Sequence, residues 1–397
     1  MNSNFTRGMA RATELTLSGK LDEATTLIQS LLAPTSEPES LAVPSDAPAE
    51  SGNGAPAIDG TYTRLDKPAP KPRPSRAGGR TTASSAARKG LGETLRTIAA
   101  GGMPGHNLGM PQALDVPNGA QVLSLTYRGA QGSRDYRLFV PIQQTPGPMP
   151  LIVMLHGCTQ SPEDFAIGTG MNALAEEFGC LVAWPAQPQG ANAQKCWNWF
   201  RPEDQGRDRG EPALIAGIVR DILRDHPADP ARVYVAGLSA GGAAAAIMGA
   251  AYPDLFAAVG VHSGLPVGGA QDVPSAFAAM RGGSVGKGGG LAVPAIVFHG
   301  LADTTVHPGN GAAVVAQALQ GRDRLTQTRV SGTSDRGRSY LQTRHDDIEG
   351  RSIAEHWEID GAGHAWAGGG SGGSYTDPKG PDASREMVRF FLQHRKA

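Results

Sequence analysis

Cysteine is scarce: three residues in 397, too few for a fold built on a disulfide framework. Neither sign of charge dominates. Lys plus Arg number 36 and Asp plus Glu 37, for a formal charge of -1, which excludes a strongly basic nucleic-acid binder as the first reading. No apolar run approaches the ~18 residues that a membrane-spanning helix needs. The opening segment, MNSNFTRGMARATELTLSGK, lacks the apolar core of about 7–15 residues that marks a secretory signal. The expectation is therefore a cytoplasmic protein, with export by another route left open. In contrast, glycine (54) and proline (30) are abundant; an average chain of this length carries roughly 48 of the two together. The hydrophobic fraction of 40% is ample for a core.

The excess is unevenly placed. Residues 1–32 have helical period: Leu21, Ala24, Leu27, Ile28, Leu31 and Leu32 follow i, i+3, i+4 spacing after a stop at Gly19. They read as a helical hairpin, too small to be stable alone. Its apolar face docks either on its own catalytic domain or on a protein, polymer or granule surface. Residues 33–105 read as a mostly disordered Pro/Ala/Gly-rich linker, acidic in its first half and basic in its second. Residues 106–397 read as one catalytic domain. In it, strand-like runs (Val122–Tyr127, Tyr136–Val140, Leu151–Leu155, Cys180–Trp184, Val233–Ala236, Ala258–Val261, Ala295–Phe298, Ile353–Ile359) alternate with helical segments such as Ile215, Ile218, Val219 and Ile222. The middle runs are continuously apolar, as strands buried on both faces require. This pattern predicts an α/β fold, a mostly parallel sheet with helices on both faces. A short turn at Gly129–Gly132 makes the first two strands antiparallel.

The strongest local signal is Gly237-Leu238-Ser239-Ala240-Gly241, between the strand ending at Ala236 and a small-residue helix. A serine on such a strand–turn–helix is held with its hydroxyl above the sheet. The flanking glycines are needed because side chains clash in so tight a turn. The helix N-terminus favours developing negative charge. A serine hydroxyl needs a base, and in this architecture acid and histidine follow the serine in that order. Asp303 lies just past the strand Ala295–Phe298, and His364 lies in a glycine-flanked loop after Ile353–Ile359. Asp360 is the competing acid, but too close to His364 in sequence. His299 reads as a loop support, and His307, His156, His262 and His345 as structural. Their spacing suggests no metal site, and no cofactor is called for. An oxyanion needs two backbone N–H groups. One is expected from Ala240, and the other from Cys158 in the loop after Leu151–Leu155.

These motifs, with Trp184-Pro185, Cys196-Trp197-Asn198-Trp199, Gly363-His364-Ala365-Trp366 and Gly380-Pro-Asp-Ala-Ser384, resemble those of poly(3-hydroxybutyrate) depolymerase-type esterases. That α/β-hydrolase group also includes feruloyl and acetylxylan esterases. The resemblance spans about residues 120–394. It implies a serine esterase with the triad Ser239, Asp303 and His364 and oxyanion donors at Cys158 and Ala240. It implies that Cys158 can pair with Cys196, which sits awkwardly with a cytosolic location, and that Cys180 stays a free buried thiol. It points to Trp197, Trp366 and Gln160 as substrate-binding residues. The implied substrate is a short-chain ester: poly(3-hydroxybutyrate) or hydroxyalkanoate oligomers, or, alternatively, a feruloyl or acetylxylan ester. A polymer- or granule-associated binding protein with incidental esterase activity is the reading from another class.

Overall fold

A computed structural model describes residues 116–396, apart from residues 118, 143–146 and 284–288. The expected hairpin (1–32), the linker (33–105) and residues 106–115 lie outside the described residues. The chain builds a ten-stranded sheet. It opens with the hairpin β1 (Gln121–Gly129) and β2 (Gly132–Val140). Then come β3 (Met149–Leu155), β4 (Leu181–Pro185), β5 (Ala228–Leu238), β6 (Ala258–His262) and β7 (Ala295–Gly300). The sheet finishes with β8 (Thr326–Thr333), β9 (Ser339–Asp346) and β10 (Ser352–Ile359). Their spatial order is β1-β2-β4-β3-β5-β6-β7-β10-β9-β8. The six strands from β4 to β10 in that order are mutually parallel, and both edges are antiparallel. The parallel strands β3, β4, β6 and β7 are buried at every position, which is why they read as unbroken apolar runs.

The helices are α1 (Pro162–Thr169), α2 (Met171–Phe178), α3 (Gly210–Asp225), α4 (Ala240–Ala251), α5 (Val273–Gly282), α6 (Gly309–Leu319) and α7 (Ala383–Phe391). Local chemistry sets several boundaries. Ser161 caps α1, accepting from the Asp164 N–H, with Pro162 in the first turn and Gly170 closing the end at φ 63°. Asp382 caps α7 by accepting from the Arg385 N–H. The sheet separates two apolar clusters. One gathers Ile215, Ile218 and Val219 of α3 with the small residues of α4. The other gathers α2 with Met387, Phe390 and Phe391 of α7. Burial on both faces is what a parallel sheet needs to be stable. The β8–β9 hairpin was not expected. β8 is exposed along almost its whole length, so it carries no apolar pattern and pairs by backbone alone. A second sheet joins β11 (Trp366–Ala367) to β12 (Thr376–Asp377).

The topology positions the site. β3 lies between β4 and β5, so the strand order reverses there. A crevice opens beyond the carboxyl ends of the strands at such a point. β3, β5, β7 and β10 run the same way, so the segments that follow them all emerge on one edge. Among the described residues, no helix is long and apolar enough to cross a membrane.

Candidate active site

β5 ends at Leu238 and α4 begins at Ala240, so Ser239 alone turns the chain. Its backbone is at φ 58°, ψ -119°, a region most L-residues avoid, and its N–H donates to the His262 carbonyl at 2.9 Å. A Cβ on Gly237 would strike the backbone of Gly241, and one on Gly241 would strike the Leu155 carbonyl oxygen. The glycine requirement is therefore steric. The N-terminus of α4 places partial positive charge behind the hydroxyl.

Asp303 follows β7 and is buried. Its Oδ1 accepts from the Thr305 and Val306 N–H groups, each at 2.9 Å. Its Oδ2 accepts from His364 Nδ1 at 2.7 Å. Burial alone would raise its pKa, but His299, His364 and the Val306 amide together hold the carboxyl well below the ordinary range. With Nδ1–H committed to Asp303, Nε2 of His364 is left as the basic nitrogen. Asp360, the competing acid, is exposed and makes no such contact. His299 does support the loop: its Nε2 lies 2.9 Å from the Val306 carbonyl and 3.5 Å from Asp303 Oδ2. Ser239 and His364 line one cavity of about 380 Å³. No direct hydrogen bond joins them among the described residues; bonds of this kind tighten when substrate binds.

Gly157, Cys158 and Ala240 line the same cavity. His156 is buried. Its Nε2 accepts from the Gln187 N–H at 3.1 Å, so its proton is on Nδ1, which donates to the Gly157 carbonyl at 2.7 Å. A trans peptide points its N–H opposite to its carbonyl, so the Cys158 N–H is turned away from His156. The Gly157 N–H donates to Gln160 Oε1 at 2.9 Å. A disulfide joins Cys158 to Cys196, and Cys180 is free and buried. Burial pushes the Cys180 thiol up to about 12. The strap carrying Cys196 is held from beneath: Asn198 donates to the Glu211 carboxylate from both its backbone and its side chain, each at 2.7 Å, and Gln187 donates to it as well.

Three expected substrate-binding residues are corrected here. Trp197 is buried and its Nε1 donates to the His156 carbonyl at 3.1 Å, so it underpins the loop that carries Cys158. Trp366 is buried, its Nε1 donating to Ser384 Oγ at 3.0 Å and its ring stacked on His262 at 5.0 Å. Gln160 is buried between Gly157, Asp164 and Ser374. None of the three lines the cavity. An indole N–H or amide in an interior must find a partner, and these found theirs in the scaffold. The cavity is lined instead by Trp199, Phe200, Leu265, Met280, Thr159 and Tyr375, and by Val273 and Phe277 of α5, both more than 40% exposed. Only Trp199 stood in a quoted motif as an aromatic; α5 carries no motif at all. The glycine-rich segment 368–373 does not line the cavity but packs against α1. Gly370 N–H donates to the Gly168 carbonyl at 2.9 Å, and a Cβ on Gly373 would collide with Gly168.

Two predictions arise here. The disulfide closes a 38-residue separation, and a bridge of that span stabilises by about 4 kcal/mol through the unfolded state. Mild reduction should lower the melting temperature, because the bridge ties the loop of Cys158 to the strap of Cys196. An unchanged melting temperature after verified thiol release would contradict that role. Secondly, burial pushes His156, His356 and His394 down to about 4 and His262 to about 3. Each takes up a proton near pH 6.5 when unfolded but only near 3 to 4 when folded. The unfolded state thus binds more protons in that window, so the stability is complete above pH 6.5 and is lost as pH falls toward 4. Each such histidine costs up to about 1.4 kcal/mol per pH unit there. Thermal melts should fall steeply from pH 6.5 to 4; a flat profile would contradict the buried neutral imidazoles.

The family model described as esterase PHB depolymerase matches residues 134–337. The chain is 35% identical over 235 residues to poly(3-hydroxyalkanoate) depolymerase C of Paucimonas lemoignei, covering 55% of each chain. It is 30% identical over 191 residues to feruloyl esterase B of Thermothelomyces thermophilus, covering 43% of this chain and 64% of that one. It therefore spans between about half and two-thirds of these relatives. In structure it resembles the acetyl xylan esterase from Aspergillus awamori, with a TM-score of 0.55 at 20% identity, over 69% of this chain and 99% of that one.

Proposed function

Because the chain belongs to the esterase PHB depolymerase family, we propose that it is a serine esterase that hydrolyses short-chain carboxylic esters, its preferred substrates being hydroxyalkanoate oligomers or polymer. The observation that carries this reading is the 2.7 Å bond from His364 to the buried Asp303, with His364 and Ser239 lining one cavity. In the proposed reaction, Ser239 Oγ attacks the ester carbonyl and its proton passes to His364 Nε2. Asp303 stabilises the imidazolium. The Cys158 and Ala240 N–H groups receive the oxyanion. Collapse breaks the ester C–O bond, and the leaving alcohol takes the proton from His364. Water then attacks the acyl-enzyme by the same route, regenerating Ser239 and releasing the acid.

The relatives named depolymerase and feruloyl esterase leave two substrate classes. The aromatic lining by Trp199, Phe200 and Phe277 is what favours the second, a feruloyl-type ester. Rates measured side by side on 3-hydroxybutyrate oligomers, methyl ferulate and acetylated xylan decide between them. Hydroxybutyrate oligomers should be the best substrates. A higher kcat/KM on ferulate or acetylxylan would overturn the preference, and no hydrolysis of any of them would overturn the esterase reading itself.

A further inference from the structure

The loop after β3 commits its polar groups in a fixed pattern. The Gly157 carbonyl accepts from His156 Nδ1 at 2.7 Å, and the Gln160 N–H closes a turn on it at 3.4 Å. The Thr159 N–H donates to the Gln194 carbonyl at 2.6 Å. The Gly157 N–H donates to Gln160 Oε1 at 2.9 Å. The amides on both sides of Cys158 are thus engaged by the scaffold. Among the described residues the Cys158 N–H has no such bond, and Cys158 lines the cavity that Ser239 also lines.

The orientation of the Gln160 amide is set from α1. Gln160 is buried, and its amide has one donor end and one acceptor end. Its Nε2 donates to Asp164 Oδ2 at 2.9 Å and lies 3.2 Å from both the Ser374 carbonyl and Ser374 Oγ. A carboxylate only accepts. With Nε2 turned to it, Oε1 must face the Gly157 N–H. The flipped amide would set its NH₂ against that N–H and its oxygen against the carboxylate. Asp164 is itself held: its N–H donates to Ser161 Oγ at 3.2 Å, its Oδ1 accepts from the Ser374 N–H at 2.9 Å, and its Oδ2 accepts from Ser374 Oγ. Ser374 belongs to the segment that follows His364, and that segment packs closely on α1 at Gly168. One carboxylate therefore joins the loop of Cys158 to the segment after His364.

We propose that Asp164 is a positioning residue for the reaction: by accepting from Gln160 Nε2 it fixes the amide that holds Gly157, and so aims the Cys158 N–H at the oxygen that becomes charged. The inference rests on the esterase reading above. Asp164 does not line the cavity, so it acts through Gln160 and not on substrate. Its effect belongs to the transition state, where an aimed N–H counts for more than in the substrate complex. Misplacing such a group by about 1 Å costs on the order of a hundredfold.

Asp164→Asn tests this in the full chain. The amide keeps the size of the carboxylate and one oxygen for the Ser374 N–H, but turns an NH₂ toward Gln160 Nε2. On p-nitrophenyl butyrate, well below the melting temperature, kcat should fall about tenfold to a hundredfold. KM should change by less than about threefold, because ground-state binding is untouched. Gln160→Glu alone sets two carboxylates against each other and should lose as much. Gln160→Glu combined with Asp164→Asn restores a donor facing an acceptor, the new carboxylate accepting from both the Gly157 N–H and the asparagine NH₂. That pair should be faster than Asp164→Asn by about fivefold or more. A lowered melting temperature with kcat intact would make Asp164 merely structural and overturn the inference. So would a raised KM with kcat unchanged, or a double variant no faster than Asp164→Asn. Failure of the wild-type protein to hydrolyse the ester would overturn the esterase reading and this inference with it, whereas wild-type activity that Asp164→Asn leaves unchanged overturns this inference alone.

Discussion

Ser239→Ala should lower kcat on p-nitrophenyl butyrate by on the order of 10⁵-fold, a loss of about 7 kcal/mol of transition-state stabilisation. The size follows from what is removed. Without Oγ no acyl-enzyme forms, and His364 can only assist water directly. What survives is the oxyanion donors and binding, which in serine hydrolases leave roughly 10³–10⁴ over the uncatalysed rate. The fold should be unaffected. Alanine meets the same backbone strain at φ 58° that serine does, and no side-chain bond of Ser239 contributes to the scaffold among the described residues. Equal melting temperatures for variant and wild type, together with loss of the pre-steady-state burst, are the expected pair of results. Activity within tenfold of wild type would remove Ser239 from the chemistry.

Asp303→Asn should cost about 10⁴-fold in kcat while changing KM little. The amide oxygen can still accept from the Thr305 and Val306 N–H groups, which anchor the loop. The amide NH₂ then faces His364 Nδ1, where the carboxylate now accepts at 2.7 Å. The imidazole is driven to carry its proton on Nε2, the tautomer that cannot take one from Ser239. Asp360→Asn is the control: that residue is exposed and its replacement should change kcat less than twofold. The reverse ranking of the two variants would assign the acid to Asp360. Asp303→Ala should in addition lose stability, because the buried Val306 N–H and the half-buried Thr305 N–H are left without an acceptor, at about 1–3 kcal/mol for the buried one.

Much of the site was legible because its rules are local. Gly237 is dictated by a backbone collision within the turn, and Gly241 by the close approach of β3 at Leu155; Asp303 stands just past the apolar run of β7, and His364 in the glycine-flanked loop after β10. Strand direction then brings three distant segments to one edge. The β8–β9 hairpin was illegible for the opposite reason. Exposed strands bury little, so no periodicity betrays them.

Sequence by itself determined the elbow turn at Ser239, the chain order of Asp303 and His364 behind it, and the parallel sheet that carries them, since each is read along the chain or from the burial pattern of single strands. Only the tertiary structure decided which aromatic residues face the cavity. Trp197 and Trp366 turned inward because the His156 carbonyl and Ser384 Oγ waited there for an indole N–H. Tyr375 came to the cavity because Asp164 and Trp366 hold its loop there. Which way a side chain faces is set by partners far away in sequence, and no local pattern encodes them.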